Sequence, residues 1–199
     1  MKTKTFYVFR HGQTDFNVRN VWQGTSINAP LNDNGFAQAA KLGEKLQGLG
    51  MQEIYSSPML RALQTAGEVN NVLQLKIRVA NDLHECCFGE ADGKEFDFVQ
   101  EKYPHIVHDF LYPTPKTWDI KYPGESSESK HDVFVRVNNV LMQIAKQSKA
   151  DVIGISTHGG VMSSLLAGLG SFGIELPNCC VAKISYDEES ETLQFVEMM

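Results

Sequence analysis

The chain has 199 residues, 42% of them apolar and 21% charged, with a formal net charge of −6. This is enough for a globular domain with a substantial core, and the acidic balance excludes a general nucleic-acid binder, which needs basic surface to displace counterions from a phosphate backbone. No stretch approaches the roughly 20 apolar residues of a membrane span, and the first apolar run stops at Arg10, too short for a signal-peptide core, so a cytoplasmic location is expected.

In chain order, Thr5-Phe6-Tyr7-Val8-Phe9 reads as an apolar strand that runs straight into Arg10-His11-Gly12-Gln13-Thr14. An imidazole and a guanidinium delivered together at the carboxyl end of a strand describe a nucleophile held against a bound anion. A polar loop, Asp15 to Pro30, follows. Asn32 or Asp33 then caps a helix expected to carry Phe36, Ala39, Ala40, Gly43 and Leu46 on one face. Ile54-Tyr55-Ser56 is a short buried strand, and Pro58 is expected in the first turn of a helix whose inner face holds Leu63, Ala66 and Leu73.

Residues 95–125 differ in character. Phe96, Phe98, Tyr103, Phe110, Tyr112, Trp118 and Tyr122 are interleaved with four prolines, without clear periodicity, which suggests a cap over the mouth of a site. Beyond it, Phe134, Val137, Leu141 and Ile144 repeat at helical spacing, and the strand Val152 to Ser156 leads into His158-Gly159-Gly160. A helix over about Val161 to Leu169 and two strands, Val181 to Tyr186 and Leu193 to Val196, complete the pattern. Strands alternating with helices indicate an α/β fold, and with no repeat or linker in view a single domain over 1–199 is expected.

The cysteines come as two neighbouring pairs, Cys86-Cys87 and Cys179-Cys180, matching neither the Cys-x-x-Cys redox motif nor a common zinc spacing. Reduced thiols packed as small apolar groups are the expectation. A metal site joining both pairs with His84, and a redox-sensitive thiol beside the active site, are the alternatives.

Four blocks carry a resemblance: Arg10-His11-Gly12; Ser56-Ser57-Pro58-Met59-Leu60-Arg61-Ala62 with Thr65-Ala66; Leu83-His84-Glu85 followed by Phe88-Gly89; and His158. In this order they resemble the motifs of the histidine phosphatase superfamily, the phosphoglycerate mutase-like family. The resemblance implies a three-layer α/β/α sandwich with a central, mostly parallel sheet, a cap segment over the active site, and no cofactor or metal. It also implies that His11 is the nucleophile, that Arg10, Arg61 and His158 hold the phosphate, and that Glu85 is the general acid, with Glu90 and Asp92 as competing carboxylates. Thr14, Asn17, Gln23, Gly24 and Gly159 would line the phosphate or substrate pocket.

The residue types suit this chemistry. A neutral imidazole attacks phosphorus without first losing a proton, and a guanidinium offers a planar fork of donors that stays charged. His158, if protonated, would add a further donor, and Gly12 would leave room for the phosphoryl group. In mutases of the family the acid is followed by an arginine and then a tyrosine. Here the stretch reads Glu85-Cys86-Cys87-Phe88-Gly89, and the long basic insertion of those mutases is missing. A phosphatase acting on a small phosphorylated metabolite is therefore expected over a mutase, and both over a non-catalytic phosphate-binding module. The particular metabolite is left open, as is a homodimer.

Overall fold

The computed structural model describes residues 3–114 and 116–199. Its first strand, β1 (Thr3–Arg10), lies near the centre of a six-stranded sheet with β2 (Glu53–Ser56), β3 (Lys76–Val79), β4 (Val152–Thr157), β5 (Val181–Asp187) and β6 (Thr192–Met198), in the order β3-β2-β4-β1-β5-β6. Strands β1 to β4 are mutually parallel, and β5 runs antiparallel to both β1 and β6. The expected α/β sandwich with a mostly parallel sheet is what the chain forms.

Both faces of the sheet are covered, because alternate residues of β1 point to opposite sides and the four from Phe6 to Phe9 are all apolar. Phe6 and Val8 join Ile153, Ile155 and Ile184 in a core shared with α6 (Lys130–Gln147) and α7 (Gly159–Gly168). Tyr7 and Phe9 join Ile54 and Val181 in a second core against α2 (Asp33–Leu46) and α3 (Leu60–Leu73). Each fully buried large side chain, Phe6 or Ile153 for example, contributes on the order of 1.5–3 kcal/mol.

The parallel register positions the site. Arg10 pairs with Thr157 and Ser56 with Ser156, so β1, β2 and β4 end along one edge of the sheet. The amide of His11 then donates to the Thr157 carbonyl at 3.0 Å, and that of Ser57 to Ser156 at 2.9 Å. Residues far apart in the chain leave the sheet side by side at the carboxyl ends of parallel strands, where open α/β sheets place ligands.

Several local expectations change. Asn32 does cap α2, accepting from the Gly35 amide at 2.8 Å, but Ala40 is exposed, and the buried face is Gly35, Ala39, Leu42, Gly43 and Leu46. Pro58 precedes the N-cap Met59 instead of entering the first turn of α3. The inner face of that helix is Arg61, Ala62, Thr65, Ala66 and Val69, with Leu63 and Leu73 only half-buried. A buried arginine and threonine displaced the leucines because that face looks toward the site and not only into the core.

Three features were too short to stand out in the sequence: the one-turn α1 (Asp15–Val18), the charged edge strand β3, and the cap helices α4 (Phe96–Lys102) and α5 (Pro104–Leu111). In the cap region Tyr122 and Phe110 are buried and pack with Trp22 and Phe88, the Trp22 ring centroid lying 4.8 Å from that of Phe88 and 5.4 Å from that of Tyr122. Phe98 and Tyr112 face outward.

Candidate active site

A cavity of about 470 Å³ opens where the strands end. Arg10, His11 and Glu85 lie in its wall with Asn17, Gln23 and Gly159, while Trp22, Phe88, Phe96 and Phe110 supply its apolar side. Thr14, Gly24, Arg61 and His158 are buried and do not line it.

His11 is buried, and its Nδ1 lies 2.7 Å from the Gly12 carbonyl oxygen. A carbonyl only accepts, so Nδ1 carries the ring proton and Nε2 keeps its lone pair. Burial, with Arg61 and Arg10 nearby, holds the imidazole well below its usual pKa, so it is neutral at pH 7. The ring of His158 packs edge-on, 5.3 Å away between centroids.

His158 is also held well below the usual histidine range by burial, Arg61 and His11. The condition under which His158 would add a charged donor is thus not met, and the ring is neutral. Its Nε2 lies 2.7 Å from Ser57 Oγ, which accepts in turn from the Met59 amide. When the Ser57 hydroxyl donates to Nε2, the ring proton sits on Nδ1, which has no protein partner among the described residues.

Arg10 and Arg61 are anchored by carbonyls. Arg10 Nη1 donates to Leu176, and Arg61 donates through Nη1 to Ile27 at 2.7 Å and through Nη2 to Gln23 at 2.9 Å. Burial lowers the Arg61 pKa to about 10, which still leaves it charged at neutral pH. The Nε–H groups of both arginines are buried without a partner among the described residues. With His158 Nδ1 they are three buried polar atoms without a protein partner among the described residues, a set that a phosphoryl group's oxygens would satisfy.

Glu85 sits across the first turn of α7. One carboxylate oxygen accepts from the Gly160 amide at 3.1 Å, and the other from Val161 at 3.2 Å and Cys86 at 2.8 Å. The other two carboxylates are elsewhere. Glu90 is bound to Tyr103 and Lys102 on the surface. Asp92 accepts from the amides of Ser26 and Phe88, and it fills the space that a side chain on Gly24 would occupy. Gly24 is therefore glycine so that Asp92 can pin its loop.

The loop after the nucleophile is built by its own hydrogen bonds. Thr14 caps α1, exchanging bonds with Asn17, and its hydroxyl donates to Gln23 Oε1 at 2.8 Å. Gly12 does not face a space for the phosphoryl group as expected. Its amide donates to Thr65 Oγ1 at 3.0 Å, and a Cβ there would strike the Gly35 carbonyl, while one on Gly35 would strike that of Gln13. The two glycines let the nucleophile loop lie directly on the start of α2.

All four thiols are free, and among the described residues no group of three or more His, Cys, Asp or Glu side chains is arranged to hold a metal. No helix among them is long and apolar enough to cross a membrane.

The model of the histidine phosphatase superfamily (branch 1) matches residues 6–198. The chain belongs to the histidine phosphatase superfamily. Among its relatives is a Hydrogenobacter thermophilus protein that carries the provisional name phosphoserine phosphatase 2, 28% identical over 98% of this chain and 96% of that one. Phosphoglycerate mutase-like protein 4 of Arabidopsis thaliana is 30% identical over 79% of this chain and 67% of its own. Among solved structures, a phosphoglycerate mutase from Bacillus anthracis superposes with a TM-score of 0.84 at 22% identity, covering 98% of this chain and 92% of that one, a likeness of fold alone.

This histidine phosphatase superfamily member also holds site residues that sequence reasoning passed over. Ser57 orients His158, and Thr65 bridges the Gly12 amide and the Arg61 carbonyl. Gly160 makes room for Glu85, and Asn178 donates to the His11 carbonyl at 3.0 Å. Ser57 and Thr65 stood inside the second block, where the cation drew attention from the hydroxyls. Gly160 stood in the Gly-Gly after His158. Asn178 had no local signal, because only the fold brings its loop to β1.

Proposed function

We propose that the protein is a phosphomonoesterase that passes the phosphoryl group of a small metabolite through His11 to water, without a metal. The observation that carries this is the His11–Gly12 contact: a buried, neutral imidazole with its proton held on Nδ1 presents an unprotonated Nε2 among cationic and N–H donors. In the first step the Nε2–P bond forms as the ester P–O bond breaks, and the departing oxygen takes its proton from the Glu85 carboxyl group. In the second, water attacks phosphorus and gives its proton to Glu85, the N–P bond breaks, and phosphate leaves. Arg10, Arg61 and His158 bind the equatorial oxygens, which carry the charge in both steps, while Asn17, Gln23 and Gly159 line the path of the substrate. Thr14 and Gly24 act through the loop they shape.

Water as acceptor is favoured over a second substrate hydroxyl by the stretch after the acid. Cys86 is a buried thiol whose pKa is pushed well up by burial, so it is neutral where a mutase has a cation. Phe88, in place of a tyrosine, packs on Trp22.

The test is an alkaline quench during turnover of a labelled phosphomonoester. Label on the wild-type protein, its absence from His11→Ala, and stoichiometric release of phosphate support the reading. Full label on His11→Ala would move the nucleophile elsewhere, and isomerisation of a phosphoglycerate with little phosphate released would make the protein a mutase.

A further inference from the structure

We propose that Lys130 and Ser163 form a second anion-binding subsite in the cavity, so that the substrate is a phosphomonoester that also carries a carboxylate. This rests on the phosphatase reading for the phosphate end and adds the chemistry of the other end.

Lys130 is 3% exposed, yet it lies in the wall of the same cavity as Arg10 and His11. Its ammonium donates to Ser163 Oγ at 2.5 Å and stands 4.9 Å from the centre of the Phe110 ring. No carboxylate pairs with it among the described residues. The groups that bear on it most are the Cys86 thiol, which burial keeps neutral, and then Glu85, which forms no ion pair with it and is held by three backbone amides on α7 and Cys86.

A buried ammonium without a counter-charge is costly. The fold makes it costlier, because Lys130 is the first residue of α6, behind the N-cap Ser129, where the helix dipole repels a cation. The bond to Ser163 and the face of the Phe110 ring offset only part of this cost. A lysine awaiting an anion gains from all of it: the helix terminus favours negative charge, and the walls of Trp22, Phe96 and Phe110 keep the local dielectric low. Ser163 lies one turn along α7 from Gly159 and Gly160, so the subsite and the phosphate end share one helix. One point charge and one hydroxyl suit a monoanionic carboxylate. A second phosphate dianion would want a guanidinium fork and would lie in the field of Glu85.

Three probes share a three-carbon skeleton: 3-phosphoglycerate, glycerol 3-phosphate, in which the carboxylate is replaced by a hydroxymethyl group, and propane-1,3-diol bisphosphate. Affinities are measured by calorimetry on His11→Ala, with and without Lys130→Met, and kcat/KM on the protein with His11 intact. We expect 3-phosphoglycerate to be favoured over glycerol 3-phosphate by about tenfold or more, the scale of one charged hydrogen bond, and Lys130→Met to bring the ratio near unity. Ser163→Ala should lower the ratio by less, and it carries the test if Lys130→Met does not fold. The readout is a ratio, so a general loss of active protein cancels. An unchanged ratio in both variants, or a preference for the bisphosphate, overturns the proposal. If all three probes are hydrolysed with equal kcat/KM and affinity, the subsite fails and the phosphatase stands. If none is hydrolysed but the affinity ratio depends on Lys130, the subsite stands and the phosphatase fails.

Discussion

Glu85 and Gly160 are fitted to each other: the Gly160 amide donates to the carboxylate at 3.1 Å, and a Cβ on Gly160 would stand 2.5 Å from Glu85 Oε1 and 3.3 Å from Phe88 Cζ. Gly160→Ala should therefore displace the carboxylate without unfolding the helix, since alanine suits a first turn. We expect kcat/KM for an alkyl phosphate to fall about 100-fold, the scale of a misplaced catalytic group, with the melting temperature little changed. Wild-type kinetics in this variant would show that the seating of Glu85 on α7 does not matter.

Glu85→Gln keeps the shape and removes the acid. Proton transfer from a positioned acid is worth roughly 100- to 10,000-fold, and an alkyl alkoxide needs it where a nitrophenolate does not. Single-turnover formation of the phosphoenzyme should drop far more for a sugar phosphate than for nitrophenyl phosphate. Equal losses would remove Glu85 as the leaving-group acid, and the surface and loop roles of Glu90 and Asp92 would leave neither as a ready substitute.

The two buried histidines set a stability limit on the acid side. Both have native pKa values well below 6.5, so on acidification the unfolded chain takes up their protons first. Stability present above pH 6.5 is lost as pH falls through 6.5 toward the native values, by about 1.4 kcal/mol per histidine for each pH unit. Urea midpoints measured from pH 7 to 5 should fall, and His11→Asn should fall less steeply. Parallel curves would mean that His11 is protonated in the native protein.

Lys130 should trade stability for binding. Burial lowers its pKa from 10.5 to about 8, so the native state disfavours the charged form, at a cost on the order of 3 kcal/mol below pH 8. That penalty disappears as pH rises from about 8 to 10.5, where the unfolded chain also loses the proton. Without ligand, Lys130→Met should be more stable than the wild type at pH 7, and the gap should narrow by pH 10. A less stable variant at pH 7 would show that the ammonium is satisfied inside the protein.

Metal removal should leave phosphate release intact, because Arg10 and Arg61 stand where a divalent ion would otherwise neutralise the phosphoryl oxygens. Overnight dialysis against a chelator, followed by assay, checks this. A large loss restored by one divalent ion would overturn it.

The catalytic candidates were legible because each stands in a block that resembles a histidine phosphatase motif: His11 in Arg-His-Gly after an apolar strand, Arg61 in Ser-x-x-x-Arg-Ala-x-x-Thr, Glu85 in Leu-His-Glu, and His158 after a second strand. The hydroxyls that hold them were not, since Ser57 and Thr65 act through distances that only the parallel register creates. Helices α4 and α5 were obscured for a different reason. They are only seven and eight residues long and lie in a proline-rich stretch, so the face that buries Val99, Val107 and Phe110 is too short to stand out. Lys130 was invisible because a lysine opening a helix reads as solvated surface until its burial is known.

Strand β4 lies between β2 and β1, although almost a hundred residues separate it from β2 and more still from β1. During synthesis, β1, β2 and β3 therefore emerge with the middle of their sheet still unmade. The nascent chain holds both His11 and Arg61 long before it has a frame to align them. Pairing at such sequence distance makes folding slow, and it also means that a chain cut short before residue 158 has no partially working form. Activity arrives in one step, when the late strand slots into the gap between the early ones.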